Sequence, residues 1–115
     1  MAAPDTLRLG AAQVAEVYLD TDATVEKDIE YVAEAGDLGL DLLVFPEFHL
    51  GGNPHWYKFD DDLTWDEYYV RLFEQAVTVP GPAIERLQAA AQEAGVALVV
   101  GANEKEPGTA GTMYN

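Results

Sequence analysis

The sequence predicts an α/β fold with at least partly parallel strand pairing. Strand-length apolar runs alternate with helix-like segments along most of the chain. The two clearest runs, Asp41 to Pro46 and Val96 to Gly101, are almost continuously apolar rather than alternating. Continuous apolarity is typical of parallel strands that are covered on both faces. The order strand, helix, strand, two helices, strand therefore predicts right-handed crossovers in a layered domain.

The first strand and the first helix are predicted from the N-terminal third of the chain. Leu7 to Val14 has the composition of a strand. Asp20 to Asp22 then offer N-capping oxygens, and an apolar stripe at i, i+4 and i+7 begins at Val25. Gly39 follows the stripe in the position where glycine commonly ends a helix, so one helix is expected between these signals.

A long loop and two further helices are predicted in the second half. Phe48 to Leu63 is rich in Gly, Asn, Pro and Asp, and a loop of this length in a small domain is usually functional. Thr64 and Glu67 form a capping-box pair, which predicts a helix after them. Pro82 is well placed in the first turn of another helix, and Gly95 is predicted to end it.

The charge balance is the strongest deviation from ordinary composition. The chain has 21 acidic and 6 basic residues, a net charge of -15 and a pI near 4.1. A polyanion such as nucleic acid would be repelled, and no cluster of Lys or Arg with interleaved aromatic residues is present. High salt would screen the repulsion between surface carboxylates, so we expect a halophilic source.

Other classes of protein are disfavoured by the same composition. No apolar run approaches membrane-spanning length and no secretory signal is visible, so we expect a cytoplasmic protein with no membrane partner. The chain contains no cysteine, which leaves it without disulfides, thiolate metal ligands or a thiol nucleophile of its own. Phosphate-binding glycine loops and the serine-hydrolase elbow are also missing from the sequence.

Glu47 is the candidate catalytic residue. It lies between an apolar strand and a glycine-rich loop, and in α/β sheets ligand sites gather at the carboxyl ends of strands. Partial burial there would raise the pKa of the carboxyl group and make it a usable general base near neutral pH. The alternative interpretation is a solvated acid in a turn.

The histidines of the long loop allow two interpretations, a metal site and a polar surface. His49 and His55 flank the Gly51-Gly52 turn, and three aspartates follow at 60–62. The spacing lacks a helical HxxxH pair and the alternating DxDxDG pattern of a calcium loop, so we predict neither metal nor cofactor. Trp56 either lines a pocket or pins this loop to the core.

The residues around Glu47 resemble the signature of the nitrilase superfamily. The matching positions are Gly39, Leu42, Leu43, Phe45, Glu47, Leu50, Gly52 and Pro54. The opening LRLGAAQ, the block VPGPAIERLQAAAQEAGVALVVGANE and the ending GTMYN are similar to that superfamily as well, so the resemblance covers nearly the whole chain. NPHW and the ending look most like the nitrilase branch. Asn53 departs from the signature, which usually has tyrosine there.

The resemblance implies an αββα sandwich, of which residues 1–115 would be the N-terminal part. It also implies a carbon-nitrogen hydrolase that works through a Glu-Lys-Cys set on small nitrile or amide substrates, without a cofactor. Only the glutamate maps onto this chain, at Glu47. The lysine and cysteine would follow Asn115, and Lys105 does not take the lysine's role. By position, His55 and Trp56 are candidates for substrate binding, and the intact protein is expected to be a homo-oligomer.

Two interpretations from other classes stay open beside the hydrolase. The chain could be a non-catalytic module that docks onto a full-length relative through its sheet, or a metal-binding protein that uses His49, His55 and the aspartates at 60–62. For the hydrolase we expect that these 115 residues alone hydrolyse nothing and bury their apolar sheet face poorly.

Overall fold

Three short parallel strands form the central sheet. In a computed structural model, which describes residues 5–58 and 65–115, they are β1 (Leu9–Ala11), β2 (Leu42–Val44) and β3 (Ala97–Val99), in the order β1-β2-β3. The helices are α1 (Thr21–Asp37), α2 (Trp65–Gln75) and α3 (Pro82–Ala94), with a short 3-10 helix at His55–Lys58. An antiparallel ribbon of β4 (Glu104–Lys105) and β5 (Met113–Tyr114) completes the described elements. The predicted α/β class with parallel pairing is confirmed.

Local capping signals set the ends of α1 and α3. The Asp20 side chain accepts a hydrogen bond from the Ala23 amide at 3.0 Å, which satisfies one of the free donors at the start of α1. Gly95 has φ 69°, and its N–H donates to the Ala91 carbonyl at the end of α3. Pro82 opens that helix. These three signals were predicted, whereas the Thr64 cap lies outside the described residues.

One face of the sheet carries the core. Leu43, at the centre of β2, is buried with Val32 and Ala35 of α1, and Val96 and Phe45 join the same cluster. Helices α1 and α3 both pack on this face and contact each other. Gly36 permits their close approach, because a Cβ at Gly36 would come within 2.9 Å of the Ala94 carbonyl oxygen.

The opposite face of the sheet is open. Its register places Leu9 beside Leu42, and Val44 beside Val99. Leu9 is 64% exposed and Val99 is 52% exposed. The prediction that the strands are covered on both faces is therefore wrong for the described chain, because both packing helices lie on the same side. The expectation of a poorly buried apolar face is confirmed.

None of the helices within residues 5–58 and 65–115 has both the length and the apolarity that crossing a bilayer requires.

Candidate functional site

Glu47 lies on an excursion from the parallel ladder. Strands β2 and β3 are in register at Val44 and Val99, and the two chains pair again at Leu50 and Ala102. Between these two pairings, the segment that follows β2 therefore contains more residues than the segment that follows β3. Residues 46–49 accommodate the difference, and we call them the Glu47 excursion.

Hydrogen bonds fix both ends of the Glu47 excursion. The Phe45 amide donates to the Val99 carbonyl at 2.8 Å, and the Leu50 amide donates to the Gly101 carbonyl at 3.0 Å. Between them, Phe48 has φ 55°, a conformation that L-residues with large side chains rarely adopt. The excursion is therefore a tightly anchored and locally strained segment rather than a free loop.

The Glu47 side chain is exposed. Its Oε1 accepts a hydrogen bond from the Asn115 Nδ2 at 2.6 Å. The expectation that this carboxylate is partly buried is wrong for the described residues. The neighbours that fill the core are Phe45, His49 and Leu50, and Glu47 is left on the outer side of the segment.

A shallow depression of about 270 Å³ lies beside Glu47, at the end of the sheet where β2 and β3 finish. Asn115, the hydrogen-bond partner of Glu47, forms part of its wall. The lining residues come from the Glu47 excursion, the following loop, α2 and the C-terminal ribbon: Phe48, Pro54, Tyr69, Leu72, Asn103, Met113, Tyr114 and Asn115. The geometry matches the ligand-binding position expected for α/β sheets.

Asn103 holds the glycine turn that follows the Glu47 excursion. It is 3% exposed, and its Nδ2 donates to the Leu50 carbonyl at 3.1 Å and to the Gly52 carbonyl at 2.9 Å. Gly51 and Gly52 have φ values of 102° and 114°, which only glycine adopts without strain. Asn103, which follows the end of β3, thus holds the loop through both bonds.

The two residues predicted to bind substrate lie on the outer part of the long loop. His55 is exposed, with its Nδ1 3.0 Å from the Asn53 carbonyl oxygen and its ring 5.4 Å from the Tyr18 ring. Trp56 stacks on Tyr68 of α2, with ring centroids 5.6 Å apart. This stacking attaches the loop to α2, and the role of Trp56 in substrate binding stays a prediction.

Tyr18 packs over the same loop. Its hydroxyl donates to the Asn53 carbonyl at 3.0 Å, and a Cβ at Gly52 would come within 2.5 Å of its ring. Burial raises the pKa of Tyr18, and the negative charge of Glu16 adds to the shift. The shift extends to higher pH the range over which the phenol stays neutral and donates this hydrogen bond.

His49 has a different environment from His55. Its Nε2 lies 2.7 Å from Oδ1 of Asp28 on α1, with both side chains fully buried, and its ring stacks on Phe45. The interpretation of His49 as part of a polar surface is wrong. Sequence reasoning missed this pair, although Asp28 gave a signal because it stands three residues after Val25 on the apolar side of α1.

The described residues contain no group of three His, Cys, Asp or Glu side chains that could hold a metal ion. The aspartates at 60–62 lie outside the described part of the chain. Lys105, in β4, directs its ammonium to the carbonyl and the ring of Phe73.

The site geometry can be compared with known proteins. The family model described as carbon-nitrogen hydrolase matches residues 8–115. The chain belongs to the carbon-nitrogen hydrolase family. That assignment agrees with the predicted superfamily, and it places Glu47, its excursion and the depression inside the matched region.

Curated relatives of this carbon-nitrogen hydrolase chain are named as nitrilases. The chain is 41% identical over 110 residues to Nitrilase 2 of an unknown prokaryotic organism, which covers 92% of this chain and 34% of that protein. It is 37% identical over 107 residues to Nitrilase 1 of Arabidopsis thaliana, covering 88% and 31%. It is 33% identical over 106 residues to an aliphatic nitrilase of Rhodococcus rhodochrous, covering 91% and 29%. The chain thus spans about a third of the length of these relatives.

Proposed function

We propose that residues 1–115 are the part of a carbon-nitrogen hydrolase domain that supplies its general base, Glu47, for hydrolysis of a small nitrile or amide. The cysteine of the site comes from outside these residues, because the chain contains none, and we propose that the lysine comes from the same part of the protein. The observation that carries the proposal is the placement of Glu47. A carboxylate is held on an anchored excursion at the carboxyl end of a parallel sheet, beside an open depression.

The exposure of Glu47 fits a site that another segment completes. Glu47 is exposed in the described chain, and a segment that covers the depression beside it would enclose the carboxylate. The Asn115 amide already donates to Oε1 of Glu47, and Oε2 is the oxygen that we propose accepts the proton. The nucleophile would approach from the open side of the depression.

The chemistry proposed for an amide substrate uses Glu47 twice. The carboxylate takes the proton of the cysteine thiol, and the thiolate attacks the amide carbon while the lysine stabilises the developing oxyanion. Protonated Glu47 gives its proton to the departing nitrogen, so ammonia leaves and a thioester forms. Glu47 then takes a proton from water, whose oxygen attacks the thioester carbon, and returns that proton to the departing sulfur, so that the acid and the thiol are released. A nitrile consumes one additional water molecule.

His55 and Trp56 are proposed to contact the substrate at the outer edge of the site. Their anchoring on Tyr18 and Tyr68 supports a role in shaping the entrance rather than in the chemical steps. We expect His55→Ala and Trp56→Ala to raise KM more than they lower kcat. Equal losses in kcat and kcat/KM would argue against this role.

A chimaera tests the proposal. Residues 8–115 would replace the matching segment of the 41%-identical Nitrilase 2, and ammonia release would be measured on a panel of nitriles and amides. We expect turnover in the chimaera, its loss in Glu47→Gln, and its retention in the matched control Glu93→Gln, an exposed carboxylate of α3. We expect the 115-residue chain alone to release no ammonia. Turnover by that chain, abolished by Glu47→Gln, would refute the proposed incompleteness.

The open sheet face favours a second candidate function, a non-catalytic module that docks onto a longer relative. Leu9, Val44 and Val99 would form the contact. A chimaera that folds and assembles but shows no activity would favour this candidate over the hydrolase. As part of the first proposal, we also propose that the intact protein forms homo-oligomers and that it works in a high-salt cytoplasm.

A further inference from the structure

The buried pair of Asp28 and His49 links α1 to the Glu47 excursion. Both side chains are 0% exposed, and Nε2 and Oδ1 are 2.7 Å apart. The two residues are separated by 21 positions in the chain, so the contact is tertiary. His49 is the last residue of the excursion and stands two positions after Glu47.

Filling this space with a buried Asp-His pair costs free energy of folding. Asp28 Oδ2 and His49 Nδ1 are buried without a hydrogen-bond partner in the described part of the chain. A buried polar atom left unsatisfied costs about 1–3 kcal/mol, and well-packed apolar side chains often replace a buried charged pair without loss of stability. Packing alone is therefore a weak reason for Asp and His at these positions.

The conformation between Glu47 and His49 supplies a stronger reason. Phe48 has φ 55°, and strain of about 1–3 kcal/mol persists only where the surroundings determine the backbone on several sides. On one side, the carbonyl of Gly101 holds the Leu50 amide. On the other, the hydrogen bond that Asp28 Oδ1 accepts from His49 Nε2 fixes the ring of His49, on which Phe45 also stacks.

We propose that Asp28 and His49 are positioning residues for Glu47: their hydrogen bond locks the left-handed conformation of Phe48 and thereby sets the direction of the Glu47 carboxylate. The structural part of this proposal concerns the described chain alone, and its consequence for catalysis rests on the proposed function. Stacking on Phe45 would survive an apolar replacement of His49, whereas the directional bond would not. Variants can therefore separate packing from positioning.

NMR of the 115-residue chain tests the structural part. In Asp28→Leu/His49→Phe, we expect the thermal unfolding midpoint to be kept, while the Cα and Cβ shifts of Phe48 leave left-handed values and amide exchange at 47–49 accelerates by about tenfold or more. Asp28→Asn is the matched control, because its amide oxygen can still accept from Nε2–H. We expect it to retain the wild-type signals at Phe48.

Two results would overturn the proposal: unchanged Phe48 shifts and exchange in the double variant, or no left-handed signature at Phe48 in the wild-type chain. If the double variant does not fold, Asp28→Ser takes its place, since the shorter side chain cannot span the distance to Nε2. Loss of the Phe48 signature with α1 intact supports positioning, and its retention overturns it.

Kinetics of the chimaera test the catalytic consequence. We expect Asp28→Leu/His49→Phe to lower kcat by about 10- to 100-fold with little change in KM, and the control Asp28→Asn to keep most of the wild-type kcat. A purely structural pair would leave kcat unchanged in a stable double variant. The NMR result is independent of turnover, so failure of the proposed function remains distinguishable from failure of the positioning role.

Discussion

Gly101 packs directly against the backbone of Glu47. A Cβ at Gly101 would lie 2.7 Å from the Glu47 Cα, 2.4 Å from the Pro46 carbonyl oxygen and 2.8 Å from the Phe48 amide nitrogen. All three atoms belong to the main chain, which cannot move aside as a side chain can. The position of Glu47, the candidate general base, therefore requires a residue without a side chain at Gly101, just after β3.

Gly101→Ala is expected to destabilise the chain by about 1–3 kcal/mol, because the methyl group displaces the backbone of the Glu47 excursion. Gly10→Ala is the matched control, since its methyl group would meet side-chain atoms of Leu40 and Leu43, which can rotate. Urea unfolding measures both. Equal losses in the two variants would contradict the close contact at Gly101.

The two faces of the sheet are expected to respond differently to the same change. Leu43→Gln puts an amide into the helix-covered core and should cost about 2–5 kcal/mol. Val99→Gln, on the open face, should change stability by about 0.5 kcal/mol or less and reduce binding of a hydrophobic dye. A large loss of stability in Val99→Gln would show that this face is covered in solution.

Salt is expected to stabilise the chain. At a net charge of -15, the folded state concentrates like charges, and at 1 M salt the screening length falls to about 3 Å. The unfolding midpoint should therefore rise between 0.1 M and 2 M potassium chloride. An equal osmolality of sucrose separates screening from general solute effects. A midpoint that is flat across this range would contradict the expected adaptation to high salt.

Alkaline pH is expected to weaken the packing of the loop that follows Glu47. The pKa of Tyr18 is raised above its ordinary 10.0, so the folded state holds this proton more tightly than the unfolded state. The stabilisation is complete below pH 10 and is lost as pH rises through the folded pKa. Tyr18→Phe should flatten the pH dependence of stability above pH 10. An unchanged alkaline slope would contradict the assignment.

The fold was predictable where the signals are local. Asp20, Pro82 and Gly95 mark helix ends through bonds within a few residues, and the structure confirms them. The apolar run before Glu47 predicted a strand correctly but not its exposure, because a continuous run does not say which element covers each face. Coverage is decided by the packing of distant segments.

The candidate site was less predictable than the fold. Glu47 could be identified because it lies between an apolar strand and a glycine-rich loop. Its catalytic role stays a prediction. The partner of His49 could not be found by local spacing, because Asp28 lies on α1, 21 positions earlier in the chain. Spacing along the chain groups His49 with His55, whereas its hydrogen-bond partner in the fold is Asp28.

The most direct test of the account is ammonia release by the chimaera with Glu47 and with Glu47→Gln. The account predicts turnover in the first and a loss of about 10²- to 10⁴-fold in the second, with equal thermal stability. Undiminished turnover in Glu47→Gln would contradict the assignment of Glu47 as the general base.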